Sequence, residues 1–576
     1  MKKVLYVSLL SNILLILSVT LTAQKAELFF KAAGSPSNPK VQASWNKYYT
    51  YEGITGLCKK LVAEYPGLVT MESAGKSYQG RDIIALTITD RKSGDPDHKP
   101  GFYIDGNIHS NEIQGTEMAL YTAWYLCEMY NENKFINELL KDKVFYILPT
   151  INPDARQYFM DEPNSANSPR SGLVPVDNDR DGLYDEDGYD DLNNDGIISL
   201  MRRKSEYGTY NADPKDPRRM VRAEPGMKGE YEILGYEGID NDGDGLINED
   251  PVGGYDGNRD YGFNWEPSYV QQGAGKYPFS FPENQAVRDF SFRHRNITGA
   301  QSFHNSGGLV LRGPSIRGGG AEEFNRTDET VINSIGKKGQ EIIPGYKFIT
   351  IWKDMYTVYG GELDWWYGAI GSYVYSNELW NDYLLFNDTT NTDEYEFDRL
   401  LLFEDAFVPW QEVDHPVYGK VEVGGFNKNF GRIHPGFLLE SDSHRNAAFC
   451  IYNAWVTPKL EVNGVKVKDI GGGLREVTAT VVNRQLMPTH SGTNLKYIID
   501  PPDYIYLEGG KAIAGMVVTD KDRNIGIEQK KDPQRLEIRN IEGYQHIDVK
   551  WIVRGDGKFT VRVESVKGGT ASAQQE

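Results

Sequence analysis

Apolar positions along residues 101–126 predict a strand, a turn and a helix in succession. The short apolar run at 101–104 ends at turn-forming residues, 105–107. From Gly115 onward, apolar and aromatic side chains recur at the three- and four-residue intervals of one helix face. A second strand of the buried type follows at 143–155. Strand, helix and strand at this spacing predict an α/β domain with a largely parallel or mixed sheet.

Other segments along the chain extend this α/β pattern. Helical spacing occurs around 51–65, the alternation of a strand occurs at 82–89, and a further strand is predicted to end at His304. Residues 372–379 alternate like a strand, and residues 395–413 follow a helical pattern. We therefore predict a mixed, mostly parallel sheet flanked by helices.

The pattern changes after about residue 458, where short alternating segments are separated by Gly, Asn and Asp turns. These segments predict a C-terminal all-β sandwich. A chain of 576 residues is also too long for one ordinary hydrophobic core. The predicted parts are a signal peptide at 1–23, an α/β domain at 24–455 with an Asp-rich insertion at about 156–254, and a β-sandwich domain at 456–576.

The N-terminal segment has the composition of an export signal. Lys2 and Lys3 precede an apolar run at 4–19, and small residues lead to Ala23. The run is long and Leu21 is unusual so near a cleavage site, so a retained membrane anchor stays the alternative. We expect a secreted or periplasmic protein without stable membrane insertion.

The overall composition argues against two classes of binding partner. The formal net charge of −20 argues against nucleic acid and anionic membranes, and a hydrophobic content of 39% is typical of a globular protein. Three cysteines, Cys58, Cys127 and Cys450, allow at most one disulfide. Cys127 falls on the apolar face of a predicted helix, so we expect it to be a buried thiol.

Three acidic runs concentrate part of this charge in the insertion. Each has Asp or Asn at alternate positions before a Gly, as in the first half of an EF-hand loop, where oxygen ligands surround a turn that glycine makes easily. The predicted ligands of structural Ca²⁺ are Asp177, Asp179, Asp181, Asp191, Asn193, Asp195, Asp240, Asp242 and Asp244. The bidentate Glu of the twelfth position is missing, so we expect Asp185 or Glu186, and Asn248 or Glu249, to complete the shells. The alternative is a set of solvated acidic loops.

His109 and Glu112 stand between the predicted strand and the helix that follows it. An imidazole and a carboxylate three residues apart on such a loop can converge on one Zn²⁺. The pattern is weak by itself, because a surface His and a Glu favoured by the start of a helix would look the same. A third ligand, a base and a substrate anchor must come from elsewhere in the chain.

Five short motifs supply these parts. They are HSNE (109–112), SLMRR (199–203), DGNRDY (256–261), SFH (302–304) and YSNEL (375–379). With these motifs in this order, the chain from about 45 to 380 resembles the zinc metallocarboxypeptidase family, of the carboxypeptidase A/B type. The resemblance implies the α/β fold of that family and hydrolysis of C-terminal peptide bonds by zinc-activated water.

The resemblance implies that His109, Glu112 and His304 bind zinc and leave one position open for water. Other candidates for the third ligand are His294, His434 and His444. Asp256 matches the carboxylate that fixes a ligating histidine in its tautomer, with a turn cap as the alternative role.

The resemblance also implies the acid–base and oxyanion groups. Glu378 matches the general base that takes a proton from water and passes it to the leaving nitrogen. Glu440 competes on local sequence, but no motif like the one at 362–366 precedes it. Arg202 matches the arginine that stabilises the tetrahedral oxyanion, and its neighbour Arg203 is the alternative.

Asn258 and Arg259 match the pair that grips the free α-carboxylate of the substrate, since a guanidinium fork suits a carboxylate. The family's usual second Asn is Asp260 here, a departure that puts the strength of this anchor in doubt.

The remaining family positions concern the walls of the pocket. Tyr356 matches the mobile phenol that covers the site, with Tyr359 as the alternative. Leu363 matches the position that sets side-chain preference and favours an apolar or aromatic C-terminal residue. Arg312 and Arg317 would instead favour an acidic residue if they line the pocket.

We therefore predict an exported zinc-dependent metallocarboxypeptidase with structural calcium, acting on peptide or protein C-termini. Two alternatives use the same chain differently. One is a hydrolase of cell-wall murein peptides on the same site. The other is a non-catalytic, calcium-stabilised surface binding protein.

Overall fold

The computed structural model describes residues 31–317 and 326–575. The signal peptide predicted at 1–23 lies outside these residues. Helices of the described chain are α1 (Tyr51–Glu64), α2 (Gln114–Met129), α3 (Lys134–Asp142), α4 (Pro153–Asp161), α5 (Pro282–Arg293), α6 (Arg326–Ile342), α7 (Ile351–Asp354), α8 (Glu362–Gly368), α9 (Tyr383–Phe386), α10 (Glu394–Phe397), α11 (Gly436–Trp455) and α12 (Gly492–Tyr497). Shorter helical turns are Arg91–Ser93, Pro96–His98, Gly257–Arg259 and Asp398–Leu402.

The strands of the described chain follow. They are β1 (Val69–Lys76), β2 (Asp82–Ile88), β3 (Gly101–Gly106), β4 (Val144–Leu148), β5 (Leu200–Lys204), β6 (Tyr210–Ala212), β7 (Met220–Arg222), β8 (Tyr231–Tyr236), β9 (Ile297–Asn305), β10 (Leu309–Arg312), β11 (Lys347–Thr350), β12 (Tyr373–Leu379), β13 (Phe407–His415), β14 (Gly419–Phe426), β15 (Leu460–Gly471), β16 (Leu474–Asn483), β17 (Asp503–Glu508), β18 (Lys511–Asp520), β19 (Ile525–Glu528), β20 (Arg535–Ile538), β21 (His546–Arg554), β22 (Thr560–Ser565) and β23 (Gly569–Gln574).

The central sheet has the strand order β1-β2-β4-β3-β9-β12-β10-β11 among the described residues. Its middle strands β4, β3, β9 and β12 run parallel, whereas the edges are mixed. Strands β3, β4 and β9 are buried along their whole length, as expected for parallel strands covered by helices on both faces. The predicted α/β fold with a mixed, mostly parallel sheet is confirmed.

A second sheet with the order β13-β14-β5-β8-β6-β7 is antiparallel. It joins strands of the Asp-rich insertion to a hairpin that follows the central sheet. The predicted helix at 395–413 is wrong in its second half. Helical structure ends at Leu402, and β13 begins at Phe407 because its residues pair with β14.

The C-terminal region forms two antiparallel sheets, β15-β16-β21-β18-β19 and β20-β17-β22-β23. Val477 and Trp551 of the first sheet share one hydrophobic core with Ile505 and Val561 of the second. The predicted β sandwich is confirmed. The boundary predicted at residue 456 stays a prediction, and both regions belong to one compact unit from Val41 onward.

Buried lysines connect the two regions. Lys143 Nζ donates to the carbonyl oxygen of Thr457 at 3.0 Å, and Lys567 Nζ donates to that of Ile297 at 2.7 Å. Burial lowers the pKa of Lys143 to about 7 and that of Lys567 to about 8. The contacts with backbone carbonyls therefore tie the sandwich firmly to the central sheet.

The described cysteines agree with the sequence analysis. The three cysteines are buried free thiols, as predicted for Cys127. No described helix has both the length and the apolar character that crossing a bilayer requires.

Candidate metal centre and substrate pocket

The loop between β3 and α2 carries the first two candidate ligands. A Cβ on Gly106 would lie 2.5 Å from the carbonyl carbon of Gly115, so glycine allows the loop to return tightly against the start of the helix. Asn107 adopts a left-handed conformation, and its Nδ2 donates to the carbonyl oxygen of His109 at 2.6 Å. The loop therefore buries His109 and Glu112 at the carboxyl end of β3.

The third candidate ligand, His304, lies near the end of the neighbouring strand β9. Glu112 Oε2 lies 3.0 Å from His109 Nδ1 and 3.0 Å from His304 Nδ1, and the two Nδ1 atoms are 3.3 Å apart. Tetrahedral bonds of about 2.0–2.1 Å would separate neighbouring ligand atoms by about 3.3 Å. These three buried side chains therefore fit one Zn²⁺ in donor type and spacing.

Each histidine contacts a carboxylate through its other ring nitrogen. His109 Nε2 lies 2.9 Å from Asp256 Oδ1, and His304 Nε2 lies 2.6 Å from Glu362 Oε1. Asp256 Oδ1 also accepts the backbone N–H of Asn258 at 2.8 Å. Asp256 thus contacts a ligand histidine and caps a turn, which are both of the roles considered for it. Glu362 was not predicted as a site residue from the sequence.

Two arginines hold the other oxygen of Glu112. Arg170 Nη1 lies 3.2 Å from Glu112 Oε1, and Arg432 Nη2 lies 3.3 Å from it. Arg170 Nε also donates to Asp256 at 3.2 Å. Burial lowers the pKa of Arg170, but Asp256 and Glu112 more than offset this effect and keep it charged. Sequence reasoning missed both arginines, since neither stands in a motif.

The structure places Arg202 outside this group, which corrects its predicted position. Arg202 lies on β5 of the second sheet, where its Nε donates to Glu422 at 2.7 Å. Its guanidinium stacks 3.9 Å from the ring centre of Trp410. Arg203 pairs with Glu232 in the same sheet. Neither arginine lines the pocket beside the histidines, whereas Arg170 does.

Glu378 lies at the end of β12, directly beside His304 in the parallel register of β12 and β9. Its side chain lines the same pocket. Burial raises the pKa of Glu378, and the nearby carboxylate of Glu112 raises it further. The competing Glu440 is exposed on α11 and does not line this pocket.

Asn258 and Arg259 lie in the short turn that follows Asp256, and both line the pocket. Arg259 is mostly buried, and its Nη1 donates to the carbonyl oxygen of Asn258 at 2.7 Å. Asp260 points away from the pocket and accepts from Ser280 Oγ at 2.8 Å. The carboxylate that departs from the family pattern at this position therefore binds the loop that contains Ser280.

An apolar wall completes the pocket. It is formed by Leu311, Ile351, Met355, Val358 and Leu363. Tyr356 also lines the pocket and is 53% exposed, whereas its alternative Tyr359 is not part of the lining. Arg312 and Arg317 are absent from the described lining. Arg312 Nη2 lies 3.7 Å from Glu329 Oε1, and the guanidinium of Arg317 lies over the ring of Trp352.

The rival histidines lie elsewhere in the described structure. His294 packs 4.4 Å from the ring centres of Tyr146 and Phe290. His434 is buried against Trp380, and His444 lies 3.0 Å from the hydroxyl of Tyr121. None of the three lines the pocket.

The acidic loops at 177–187 and 240–250 pair with each other. The backbone N–H of Asn178 donates to Asp250 at 3.0 Å, and that of Asn248 donates to Asp187 at 3.1 Å. Carboxylate oxygens of both loops gather in groups that could hold a cation. Those groups are Asp177–Asp179–Asp181, Asp179–Glu186–Asp250, Asp181–Glu186–Asp242 and Asp187–Asp242–Glu249.

The remaining predicted cation ligands form local turns. Side-chain oxygens of Asp191 and Asn193 accept the backbone N–H of Asp195 at 3.0 and 3.1 Å. In the paired loops, Asp240 and Asp244 accept N–H groups of their own turn in the same manner. Asp187 and Asp250 were not predicted as ligands. Each reaches the carboxylates of the other acidic loop only because the two distant loops pair.

Known proteins are similar to parts of this chain. Residues 54–396, more than half of the chain, match a family model described as zinc carboxypeptidase. Residues 459–576 match a model described as a domain of unknown function. The catalytic chain of human carboxypeptidase N is 30% identical over 148 residues, which are 26% of this chain and 31% of that protein. An inactive metallocarboxypeptidase of Ajellomyces capsulatus, ECM14, is 31% identical over 137 residues, 24% of this chain and 23% of that protein.

The chain therefore spans less than a third of the length of each of these two relatives. Among solved structures, carboxypeptidase A from Helicoverpa armigera is similar over 73% of this chain and 76% of its own, with 18% identity and a TM-score of 0.42. The extent of the family match decides the assignment: the chain belongs to the zinc carboxypeptidase family.

Proposed function

We propose that the protein is an exported zinc-dependent metallocarboxypeptidase that removes C-terminal residues from peptides. The observation that carries this proposal is one pocket lined by His109, His304, Glu378 and Arg259, where the carboxylate of Glu112 converges on the two histidines. Export is inferred from the sequence at 1–23. Relatives include a protein named inactive, but the residues needed for chemistry are together here.

The site residues have separate roles in the proposed reaction. His109, Glu112 and His304 would hold a Zn²⁺, which would supply the Lewis acidity needed to activate water and polarise a carbonyl group. Glu378 takes the proton of the attacking water and then gives it to the leaving nitrogen. Arg259 binds the free carboxylate of the substrate, so that the last peptide bond faces the metal.

Arg170 takes the oxyanion role in this proposal. It lines the pocket and is fixed by Glu112 and Asp256, so a charged donor is held beside the metal-ligand cluster before substrate arrives. Arg202 is assigned a structural role, since its guanidinium is enclosed by Trp410, Tyr231 and Glu422.

Substitution of the two arginines tests this assignment. We expect Arg170→Ala to lower kcat about 10²- to 10³-fold at saturating zinc, because one oxyanion donor is lost. Arg202→Ala should leave kcat within about threefold and lower the melting temperature, since it removes a cation packed between aromatic rings. Steady-state kinetics and thermal unfolding of both variants give the result. A large loss of kcat in Arg202→Ala with normal Arg170→Ala would reverse the assignment.

The pocket wall favours peptides that end in an apolar or aromatic residue. The described lining includes five aliphatic and methionine side chains together with Tyr356, Ser315 and Ser376. Glu362 also lines the pocket, but its carboxylate is paired with His304. An acidic C-terminal side chain would find neither Arg312 nor Arg317 in this lining.

Mass spectrometry of a mixed peptide pool tests the proposed activity. Incubation with the zinc-loaded protein should shorten peptides by single C-terminal residues, with apolar and aromatic ends removed first. Muropeptides with D-residues or γ-linkages form a parallel pool. Cleavage of the muropeptides alone would establish the cell-wall alternative, and no cleavage of either pool would contradict the enzyme.

We further propose that the paired acidic loops bind structural Ca²⁺. Three of these groups of carboxylate oxygens span both loops, and Asp187 and Asp250 are fully buried between the loops. One oxygen each of Glu186 and Glu249 is buried without a hydrogen-bond partner in the described structure. Hard oxygen ligands of this kind suit Ca²⁺, and the cation would offset their mutual repulsion.

Calcium should therefore stabilise the protein. At a Ca²⁺ concentration about 100 times the dissociation constant, the expected gain is about 2.7 kcal/mol per site. Thermal unfolding of calcium-depleted, zinc-loaded protein, with and without added CaCl₂, measures the gain. Asp250→Asn should reduce the response, whereas Asp522→Asn, at an exposed turn of the sandwich, should retain it. An unchanged melting temperature of the parent protein on addition of CaCl₂ would show that these loops are solvated and bind no structural Ca²⁺.

A further inference from the structure

The buried carboxylate of Glu362 contacts His304, one of the candidate zinc ligands. The Glu362 side chain is fully buried, and among the described residues its carboxylate forms an ion pair with His304. By contrast, the buried Glu117 pairs with Arg156 at 2.7 Å. A buried carboxylate is costly unless it is paired and hydrogen-bonded, so the contact with His304 needs a physical reason.

The contact is short and directed. Glu362 Oε1 lies 2.6 Å from His304 Nε2, whereas Ser302 Oγ and Asn258 Nδ2 each lie 3.4 Å from the same nitrogen. Glu362 is thus the acceptor for a proton on Nε2. The other nitrogen, Nδ1, faces Glu112 and His109, so a proton held at Nε2 leaves the lone pair of Nδ1 directed at the metal ligands.

The backbone of Glu362 is fixed by the turn that also carries the pocket residues. Its N–H donates to Asn258 Oδ1 at 2.8 Å. Gly360 precedes it with a positive φ, and a Cβ there would lie 2.6 Å from the carbonyl oxygen of Arg259. The start of α8 therefore packs tightly against the Asn258–Arg259 turn, and this packing holds the carboxylate in place.

We propose that Glu362 is a positioning residue for the metal centre, which orients His304 as Asp256 orients His109. The inference rests on the proposed zinc site. Both histidines then bind through Nδ1 and donate through Nε2 to a buried carboxylate. A carboxylate behind each histidine fixes the tautomer and ring orientation and increases the basicity of the ligand nitrogen. Glu362 touches neither substrate nor metal in this assignment.

Zinc affinity of the metal-free protein, measured by competition with a fluorescent chelator, tests the role without using activity. We expect Glu362→Ala to weaken zinc binding about 10- to 100-fold. Glu362→Gln, which keeps an acceptor oxygen but loses the charge, should fall between Glu362→Ala and the parent. Asp364→Asn is the matched control, because Asp364 is a buried carboxylate on the same helix that accepts from Ser315 N and Asn264 Nδ2.

The outcomes separate this inference from the zinc site itself. If the parent binds zinc and both Glu362 variants bind it equally tightly, Glu362 does not position His304. If Asp364→Asn weakens zinc binding as much as Glu362→Ala, the effect is one of general packing and the inference is overturned. If the parent binds no zinc, the proposed function fails first. Glu362→Gln preserves the side-chain shape but removes the negative charge behind His304. The Co²⁺ absorption spectrum of this variant should therefore differ from that of the parent. An identical spectrum also contradicts the role.

Discussion

Glu378→Gln should abolish turnover while leaving zinc bound. The substitution keeps the size and hydrogen-bonding shape of the side chain but removes the group that accepts a proton, and such acid–base contributions are worth about 10²- to 10⁴-fold in rate. Glu378 is not among the three convergent ligand atoms, so zinc affinity should change by less than about threefold. We therefore expect kcat to fall by at least 10²-fold in a zinc-saturated sample whose metal content matches the parent.

Glu440→Gln is the matched control for this experiment. Glu440 shows a similar local sequence but is exposed on α11, outside the pocket, so its variant should retain the kcat of the parent. Metal analysis and kinetics on the same preparations separate loss of the base from loss of zinc. More than a tenth of parental activity in Glu378→Gln would require a different base.

Three of the site residues predicted from the sequence stand at or near the ends of buried strands. His109, His304 and Glu378 each follow or end a strand of the parallel part of the sheet, and these strand ends meet at one edge. Their positions in the fold follow from local hydrophobic patterns and from short motifs in a fixed order. A strand fixes both the position and the direction of its last side chains, so local patterns suffice to predict that these three residues lie close together.

The arginine that we propose for the oxyanion could not be predicted in the same way. The run at 199–203 resembles a family motif and therefore favours Arg202. In the structure this run forms β5, which pairs with β8 and β14 in the second sheet. Arg170 lies in an irregular segment of the long insertion. Its approach to Glu112 depends on how that insertion folds over the site, which no local pattern predicts.

A similar limit applies to Glu362 and to the acidic loops. Glu362 begins a helix, and a Glu in a first helical turn is common for reasons unrelated to metals. The acidic repeats predicted their own turns. The reciprocal contacts between residues 177–187 and 240–250, however, join residues that are 72 and 61 positions apart in the chain. Tertiary packing alone determined both arrangements.

Arg259→Ala should remove the preference for a free C-terminal carboxylate. A mostly buried guanidinium that pairs with a substrate carboxylate typically contributes about 3–4 kcal/mol, so kcat/KM should fall about 10²- to 10³-fold, mainly through KM. Arg259→Lys should lose less, because it keeps the charge but not the fork.

Paired peptides that differ only in a free or amidated C-terminus give the decisive comparison. The parent should cleave the free acid at least 100-fold faster than the amide, whereas Arg259→Ala should treat the two nearly alike because neither finds an anchor. Arg317→Ala is the matched control, since Arg317 is exposed and lies outside the described lining. If the parent cleaves amidated peptides as well as free acids, the pocket does not bind a carboxylate at Arg259, and the enzyme acts within chains and not at their ends.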